Sequence, residues 1–173
     1  MKIREAVPAD AEAIAWVHVE SWKTTYAGIV PQDYLDSLNV ADRAAQWERH
    51  VAEGVAAIFV AEDEGGVFGF AAGGRSLHPV ADYDGELYAI YLLASHQGKC
   101  AGAALVRETA GELWRRGFRN MVVWVLRENP ACGFYRRLGG VQVGEQSIEI
   151  GGTALPEVAF GWADLRVLCE PES

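Results

Sequence analysis

The sequence lacks any apolar run near the 18 or more residues that a membrane-spanning helix needs. Its first residues, MKIRE, are charged on both sides of one isoleucine, so they do not form the apolar core of a secretory signal. Basic residues are also few, because 15 Lys and Arg stand against 24 Asp and Glu, a net charge of −9. Proteins that bind nucleic-acid phosphates or anionic lipids use an excess of Lys and Arg. We therefore expect neither a nucleic-acid partner nor a membrane partner.

Cysteine and histidine are scarce, since the chain has three cysteines and four histidines. Cys100, Cys132 and Cys169 are odd in number and widely spaced, which is not the pattern of a disulfide framework. The histidines show no metal-site spacing, either among themselves or with the cysteines. The expectation is a reduced, cytoplasmic protein with no metal ion.

What the sequence does contain is a globular composition. Half of its 173 residues are hydrophobic and 23% are charged, which is unlike a disordered chain. This length suits one domain with its own core. We find no repeat, low-complexity stretch or linker, so residues 1–173 are predicted to form a single domain.

Hydrophobic periodicity and turn residues predict the order of helices and strands. Strands are expected at residues 2–6, 56–61, 67–72, 86–93, 121–126, 141–150 and 154–162, and helices after Pro8, at 31–35, at 40–51, around 106–114 and at 129–138. The near-continuous apolar character of 86–93 and 121–126 predicts central strands that are buried on both faces. The alternation of helices with strands indicates an α/β domain.

Residues 97–102, Gln-Gly-Lys-Cys-Ala-Gly, lie between a predicted strand and a predicted helix. Small residues let a ligand approach the backbone, and the free N–H groups of a helix N-terminus favour an anion. The segment matches neither the Walker loop nor the G-x-G-x-x-G fingerprint. It is a candidate phosphate cradle, with an ordinary glycine-containing turn as the alternative.

A second segment, NPACGFYRRLG at residues 129–139, begins with a helix-start signal, since Asn caps a helix and Pro suits its first position. Asn129, Cys132 and Tyr135 are three residues apart and therefore share one side of a short helix. A tyrosine placed in this way beside a thioester could protonate a leaving thiolate. The alternative is a half-buried tyrosine whose hydroxyl bonds to a neighbour.

Together these segments resemble those of the GNAT superfamily of acetyl-CoA-dependent N-acetyltransferases. The shared pattern is a strand, a Gln-x-x-small-x-Gly loop, a helix, a strand and then Asn-x-x-Cys-x-Phe-Tyr-x-x-Leu-Gly, and it is sharpest from Glu86 to Gly139. The resemblance implies a single-domain α/β fold with a mixed, mostly antiparallel sheet of about seven strands. It also implies about four flanking helices, a splay at the fourth strand, and acetyl-CoA as the acetyl donor.

The resemblance also implies roles for single residues. Tyr135 matches the usual general acid and Asn129 the residue that steadies the cofactor arm. Leu92 matches the position at the splayed strand whose backbone pairs with the pantetheine chain. The acetyl-CoA site that the resemblance implies comprises Ile90, Tyr91, Leu92, Leu93, Gln97, Gly98, Lys99, Cys100, Ala101, Gly102, Ala103, Asn129, Phe134 and Arg137.

Two positions depart from the family pattern. Cys100 stands where the family usually has Gly, and Ala94 where Pro is common. If position 100 needs a positive φ, its cysteine costs about 1 kcal/mol or more. Neither change removes an essential donor, because such a loop binds through its backbone.

The resemblance implies direct transfer, in which a neutral amine attacks the thioester carbonyl of acetyl-CoA. Amines are mostly protonated at pH 7, so this attack needs a base or a water relay. Our candidate base is Glu86, which opens its strand and by period-two alternation shares a face with Tyr88, Ile90 and Leu92. The alternative is a strand-end carboxylate in water.

The acceptor is expected near the first helix, where this superfamily builds its acceptor pocket. Trp22 and Tyr26 are four residues apart and share a helix face, and with Tyr88 they are the predicted acceptor-binding residues. Aromatic rings with carboxylates nearby suit a small cationic amine. The alternative for these rings is the core.

Three other readings stay open. Cys132 is placed for a covalent route, although packing against small residues explains it as well. The protein could acetylate protein or peptide N-termini, or it could bind acyl-CoA without catalysis. The sequence identifies no acceptor and does not decide between a monomer and a homodimer.

The charge is unevenly distributed along the chain. Residues 97–137 carry a net charge of +5, whereas residues 1–96 carry −9 and residues 138–173 carry −5. Solvated helix faces would explain part of the basic segment. The division also predicts an anionic cofactor on that segment and a cationic acceptor on the acidic N-terminal half.

Overall fold

One seven-stranded sheet runs through the computed structural model, which describes residues 1–169. Its strands are β1 (Lys2–Glu5), β2 (Ala57–Asp63), β3 (Gly66–Arg75), β4 (Gly85–Leu92), β5 (Met121–Leu126), β6 (Val141–Ile150) and β7 (Thr153–Trp162). Their order in the sheet is β1-β2-β3-β4-β5-β7-β6. Only the β4–β5 pair is parallel. The predicted mixed, mostly antiparallel sheet of seven strands is therefore confirmed.

Helices cover both faces of this sheet. They are α1 (Ala11–Thr25), α2 (Gln32–Ser37), α3 (Val40–Glu53), α4 (Ala101–Arg115), α5 (Ala131–Arg137) and α6 (Arg166–Cys169), with 3-10 turns at Pro8–Asp10 and Ala94–His96. Buried residues of α1 and α3 pack on one face, and those of α4, α5 and α6 on the other. The four main helices, α1, α3, α4 and α5, match the predicted number. The short helix α6 was not predicted.

Local signals explain where α3 begins and ends. The Asn39 side chain accepts a hydrogen bond from the backbone N–H of Asp42 at 3.1 Å, as an N-cap does. At the other end Gly54 adopts a left-handed conformation with φ of 64°, which glycine reaches without a steric penalty. These caps define the two ends of α3. Helix α3 packs against α1, and the two helices form the layer that covers one face of the sheet.

A partly buried ion pair joins the first strand to the turn that precedes the first helix. The Arg4 guanidinium donates to both carboxylate oxygens of Asp10, at 2.7 and 2.9 Å, and also to Glu62 in β2. Hydrogen bonding to Arg4 lowers the pKa of Asp10. The start of α1 is thereby fixed to the edge of the sheet.

Strand β4 separates from β5 soon after the two strands meet. Their parallel pairing is recorded at a single register position, Glu86 with Val122. Residues 88–92 of β4 are only partly buried as a result. The prediction of burial on both faces was therefore wrong for this half of β4, because the expected apolar run here forms the wall of an opening.

A bulge at Tyr88 changes which side chains of β4 share a face. Leu87 pairs with Gly73 and Ala89 with Ala72, so Tyr88 is the extra residue. Ile90 and Leu92 consequently pack with the α4 layer, whereas Tyr88 packs with the α1 layer. The predicted common face of Glu86, Ile90 and Leu92 was wrong, because strict alternation does not pass through a bulge.

Candidate active site

The separation of β4 and β5 opens a cleft of about 650 Å³. The end of α1, both strands, the loop before α4 and the starts of α4 and α5 form its walls. Predicted site residues that line it are Tyr26, Tyr88, Ile90, Tyr91, Leu92, Gln97, Gly98, Cys100, Gly102, Ala103, Asn129, Phe134, Tyr135 and Arg137. Predicted site residues outside the lining are Trp22, Glu86, Leu93, Lys99 and Ala101.

The loop before α4 presents free backbone N–H groups to the cleft. The first intrahelical bond of α4 runs from the Ala104 N–H to the Cys100 carbonyl at 3.1 Å. The N–H groups at positions 101–103 therefore have no acceptor within the helix. With the positive end of the helix dipole, they suit a phosphate group.

Cys100 itself occupies the left-handed region, with φ of 63° and ψ of −5°, at the N-cap of α4. Gly98 is also left-handed, with φ of 75°. Position 100 thus needs the positive φ that glycine adopts easily, and cysteine there carries a strain of about 1–2 kcal/mol. The replacement of the family's usual glycine by Cys100 therefore introduces backbone strain in this fold.

Gly102 of α4 packs closely against Phe134 of α5. A Cβ added to Gly102 would lie 3.2 Å from the Phe134 ring and 3.4 Å from the Leu92 side chain. A side chain at position 102 would therefore press on Phe134 and Leu92, two residues that line the cleft. Glycine lets the first turn of α4 lie directly against these residues.

The end of β4 is fixed by side chains from two other elements. Ser21 Oγ and Gln97 Nε2 both donate to the Leu92 carbonyl, each at 3.2 Å. Ser21 lies in α1 and is 1% exposed, so α1, the end of β4 and the loop before α4 form one unit. Sequence reasoning missed Ser21 as a site residue, although a serine in the apolar stripe of α1 is the signal that could have found it.

Tyr26 and Asn129 meet across the cleft wall. Asn129 Nδ2 donates to the Tyr26 hydroxyl at 3.2 Å, and Asn129 Oδ1 accepts from the Ala131 N–H at 2.9 Å. The Trp22 ring packs on Tyr26, with ring centroids 4.6 Å apart. Trp22 supports the wall from outside the lining, while Tyr26 is part of the lining itself.

Tyr135 is buried and lines the same cleft. Its ring contacts Phe134, Phe160 and Trp162. Desolvation by these neighbours raises the pKa of Tyr135 well above its ordinary value of 10.0. The phenol is therefore neutral at pH 7 and holds a proton that it can donate.

Cys132 lies in the same helix but outside the lining of the cleft. Its thiol points towards the carbonyls of Leu126 and Arg127, at 3.6 and 3.7 Å. Burial raises the pKa of this thiol, which disfavours the thiolate. The geometry gives no support to a covalent route through Cys132.

Glu86 is buried and its carboxylate is already engaged. Its Oε2 accepts from the N–H groups of Leu77 and His78, at 2.8 and 3.0 Å, and from Ser76 Oγ at 3.2 Å. Its Oε1 lies 3.0 Å from His78 Nδ1. Glu86 thus fixes the turn at residues 76–78, and its role as a base stays a prediction.

Neither a metal site nor a membrane-spanning helix is found among residues 1–169. That part of the chain contains no group of three or more His, Cys, Asp or Glu that could hold a metal ion. None of its helices has the length and apolar character needed to cross a bilayer.

Comparison with known proteins places the chain in a family. The model of the FR47-like protein family matches residues 77–148. The uncharacterized N-acetyltransferase YuaI of Bacillus subtilis is 47% identical over 167 residues, which cover 96% of this chain and 95% of that protein.

Solved structures share the fold. The ribosomal-protein-alanine N-acetyltransferase of Brucella melitensis superposes with a TM-score of 0.74 at 22% identity, over 94% of this chain and 99% of that one. A phosphinothricin acetyltransferase of the GNAT superfamily from Sinorhizobium meliloti, solved with acetyl-CoA, gives a TM-score of 0.70 at 26% identity, over 93% and 86% of the two chains. Since the splayed sheet, the free N–H groups of α4 and the relatives all agree, the chain belongs to the GNAT family of N-acetyltransferases and uses acetyl-CoA as its acetyl donor.

Proposed function

We propose that the protein transfers the acetyl group of acetyl-CoA directly to a primary amine of a small, cationic acceptor, with Tyr135 as the general acid. The observation that carries this proposal is the position of Tyr135. Its neutral phenol lines the cleft that also contains the free N–H groups of α4 and the aromatic wall around Tyr26. A proton donor, an anion site and a wall suited to a cation thus share one cavity.

Acetyl-CoA supplies the acetyl group as a thioester, so that a C–N bond forms as the C–S bond breaks. The N–H groups at positions 98 and 101–103 hold the diphosphate, and the Arg137 guanidinium at the cleft adds positive charge. Asn129 and the end of β4 around Leu92 orient the arm.

Two proton movements accompany the transfer. Tyr135 gives its proton to the leaving sulfur, so that CoA leaves as a neutral thiol and no negative charge develops on sulfur in the buried cleft. The amine in turn loses a proton. No Asp, Glu or His among residues 1–169 lines the cleft, and the oxygens of Glu86 already bind the turn at 76–78. The proposal therefore sends the proton of the amine to water in the cleft, with Glu86 as the alternative base.

The wall on the acceptor side supports a cationic substrate. Tyr26, Tyr88, Tyr91 and Trp124 present aromatic surface to the cleft, and such surface attracts ammonium groups. Residues 1–96, which supply most of this wall, carry a net charge of −9. The proposal includes the cytoplasm as the site of the reaction, which the exposed free thiol of Cys100 supports.

The proposal is tested by measuring CoA thiol release with a panel of polyamines, amino acids, aminoglycosides and short peptides. With the best acceptor, Tyr135→Phe should lower kcat by about tenfold or more, because the general acid is lost. The KM for acetyl-CoA should stay within about twofold, because the binding groups remain. Tyr83→Phe, which removes a hydroxyl outside the cleft, is the control and should leave kcat unchanged.

Three results would contradict this function. A Tyr135→Phe enzyme with unchanged kcat would show that Tyr135 is not the general acid. Thiol release with peptides alone would exclude a small acceptor and favour acetylation of protein N-termini. Acetyl-CoA binding without release for any amine in the panel would favour a non-catalytic module.

A further inference from the structure

The turn at residues 76–78 connects a buried carboxylate with a ring of the cleft wall. On one side it is bound by Glu86, which accepts from the backbone N–H groups of Leu77 and His78 at 2.8 and 3.0 Å. On the other side the carbonyl of His78 accepts a hydrogen bond from Trp124 Nε1 at 3.0 Å. Trp124 lines the cleft, whereas Glu86 does not. A single residue of the turn, His78, thus binds Glu86 through its N–H group and Trp124 through its carbonyl.

The indole of Trp124 is held at two points. Val123 and Val125 pack with the α4 layer, so by alternation the side chain of Trp124 points to the opposite face of the sheet. There its Nε1 binds the carbonyl of His78. At the far edge of the ring, a Cβ added to Gly144 in β6 would lie 3.4 Å from Cη2. The path of the turn therefore decides where this ring lies in the wall.

A second ring of the wall, Tyr88, is bound to the same stretch of chain. Its hydroxyl donates to the carbonyl of Arg75, the last residue of β3. The next residue, Ser76, donates through Oγ to the carboxylate of Glu86 at 3.2 Å. Both rings thus contact backbone whose position depends on the hydrogen bonds of Glu86.

The surroundings of Glu86 suit an anchor better than a base. Its Oε2 accepts three hydrogen bonds and its Oε1 lies 3.0 Å from His78 Nδ1, which occupies most of the acceptor positions of a carboxylate. A general base must lie within hydrogen-bond reach of its proton, directly or through one water. Glu86 is 3% exposed and lies outside the lining of the cleft. Its contacts therefore serve the turn.

We propose that Glu86 is a positioning residue for the acceptor, which fixes the indole of Trp124 in the cleft wall through the turn at 76–78, while water takes the proton of the amine. This inference rests on the proposed acetylation of an amine in this cleft. The loop before α4 and Asn129, which hold acetyl-CoA in that proposal, lie outside this connection. Loss of the anchor should therefore affect the acceptor and leave acetyl-CoA binding unchanged.

Glutamine and alanine at position 86 separate an anchor from a base. The amide oxygen of Glu86→Gln still accepts hydrogen bonds from the turn, but it cannot take up the proton of an amine. The kcat and KM values are measured for the three most active amines of the panel over about pH 6 to 9. Glu86→Gln should keep both within about threefold, with the pH profile of the wild type, whereas Glu86→Ala should raise the KM for the amines about tenfold and leave that for acetyl-CoA within about twofold.

The proposal fails if Glu86→Gln loses about tenfold or more in kcat, and a changed pH profile in that variant would identify Glu86 as the base. Equal amine KM values in Glu86→Ala and the wild type would also overturn it. Asp82→Asn, which removes an exposed carboxylate from the same connection between β3 and β4, is the control and should keep the wild-type values.

Trp124→Phe tests the connection from its other end. It keeps an aromatic ring but removes the indole N–H that binds the carbonyl of His78. It should raise the KM for the amines as Glu86→Ala does. The double variant should be no worse than Trp124→Phe alone, because both changes break the same connection. Effects that multiply in the double variant would show that the two residues act separately, and they would overturn the proposal.

NMR makes the inference independent of turnover. The indole N–H signal of Trp124, assigned by its loss in Trp124→Phe, should keep its wild-type position in Glu86→Gln and move in Glu86→Ala, with circular dichroism to check that each variant is folded. An unmoved signal in folded Glu86→Ala would overturn the connection. If Glu86→Ala does not fold, the kcat and pH profile of Glu86→Gln still decide between anchor and base. If no amine of the panel is acetylated, the proposed function fails, while the indole signal still decides whether Glu86 positions Trp124.

Discussion

Cys100 holds a conformation that suits glycine better than any other residue. Its φ of 63° places it in the left-handed region, where a Cβ costs about 1–2 kcal/mol. The loop binds through backbone N–H groups, so the thiol itself is not needed for the proposed chemistry. The residue is therefore a source of strain that can be removed without touching the reacting groups.

We expect Cys100→Gly to raise the free energy of unfolding by about 1 kcal/mol. The relief of strain exceeds the extra flexibility that glycine gives the unfolded chain, which is about 0.4–1 kcal/mol. Urea unfolding followed by circular dichroism measures the difference. Cys100→Ala is the control, because it removes the thiol but keeps the Cβ.

The alanine variant should have nearly the stability of the wild type, and both variants should keep the wild-type kcat. Equal stabilisation by Gly and Ala would show that the thiol, and not the backbone, carries the cost. A large fall in kcat in both variants would show that the thiol takes part in the function.

At this scale the sequence identified residues that belong to local motifs. The structure brings Tyr135, Asn129 and most of the loop at 97–102 to one cleft, and each was predicted from a short strand, loop or helix segment. Ser21 was not found, because its importance arises from a partner far away in the chain. Its hydroxyl donates to the carbonyl of Leu92 at the end of β4.

The elements themselves were predicted well where pattern and length agree. The bounds of β5 and β6 match the predicted 121–126 and 141–150. The bulge in β4 was not predictable, since it is defined by pairing with β3. Helix α6 was missed because four residues are too few to show a helical period. Apolar character alone also does not distinguish a strand in the core from one that lines a cleft.

Helix α4 contains two glycines that the fold uses differently. Gly102 faces Phe134 and Leu92 at the cleft, whereas a Cβ on Gly111 would meet only Arg115 Nη1, at 3.9 Å. Gly102→Val should raise the KM for acetyl-CoA by about tenfold or more, because its side chain displaces Phe134 and Leu92 at the wall of the cleft. Acetyl-CoA saturation curves measure this effect.

Gly111→Val in the same helix is the matched control and should leave the KM within about twofold. Gly102→Val should also lower the free energy of unfolding by about 1–3 kcal/mol, because its side chain overpacks against Phe134, and circular dichroism checks that both variants are folded. Equal KM values for Gly102→Val and the wild type would show that acetyl-CoA binding does not depend on this part of the cleft wall.

Over the whole molecule the charge is divided more finely than the net value of −9 indicates. Arg115 and Arg116 both pair with Glu112, at 2.8 Å, so these two form part of a solvated helix face. Arg119 lies over the Trp114 ring, 4.0 Å from its centre. Of the basic segment, Arg137 lines the cleft. The predicted anion site thus depends on the free N–H groups of α4 and on Arg137 more than on the total of positive charges.

This division predicts how salt affects each substrate. Raising NaCl from 0.1 to 1 M shortens the Debye length from about 10 Å to about 3 Å and screens both attractions. The KM for acetyl-CoA and the KM for a diamine should both rise severalfold, while the KM for a neutral amine mimic such as hydroxylamine should change little.

Arg137→Gln should raise the KM for acetyl-CoA about fivefold at low salt and reduce its salt dependence, because one of the screened charges is gone. Arg115→Gln is the control, because it loses an exposed arginine that is paired with Glu112, and its KM for acetyl-CoA should equal that of the wild type. If neither salt nor Arg137→Gln changed the KM for acetyl-CoA, binding would depend on the backbone N–H groups alone.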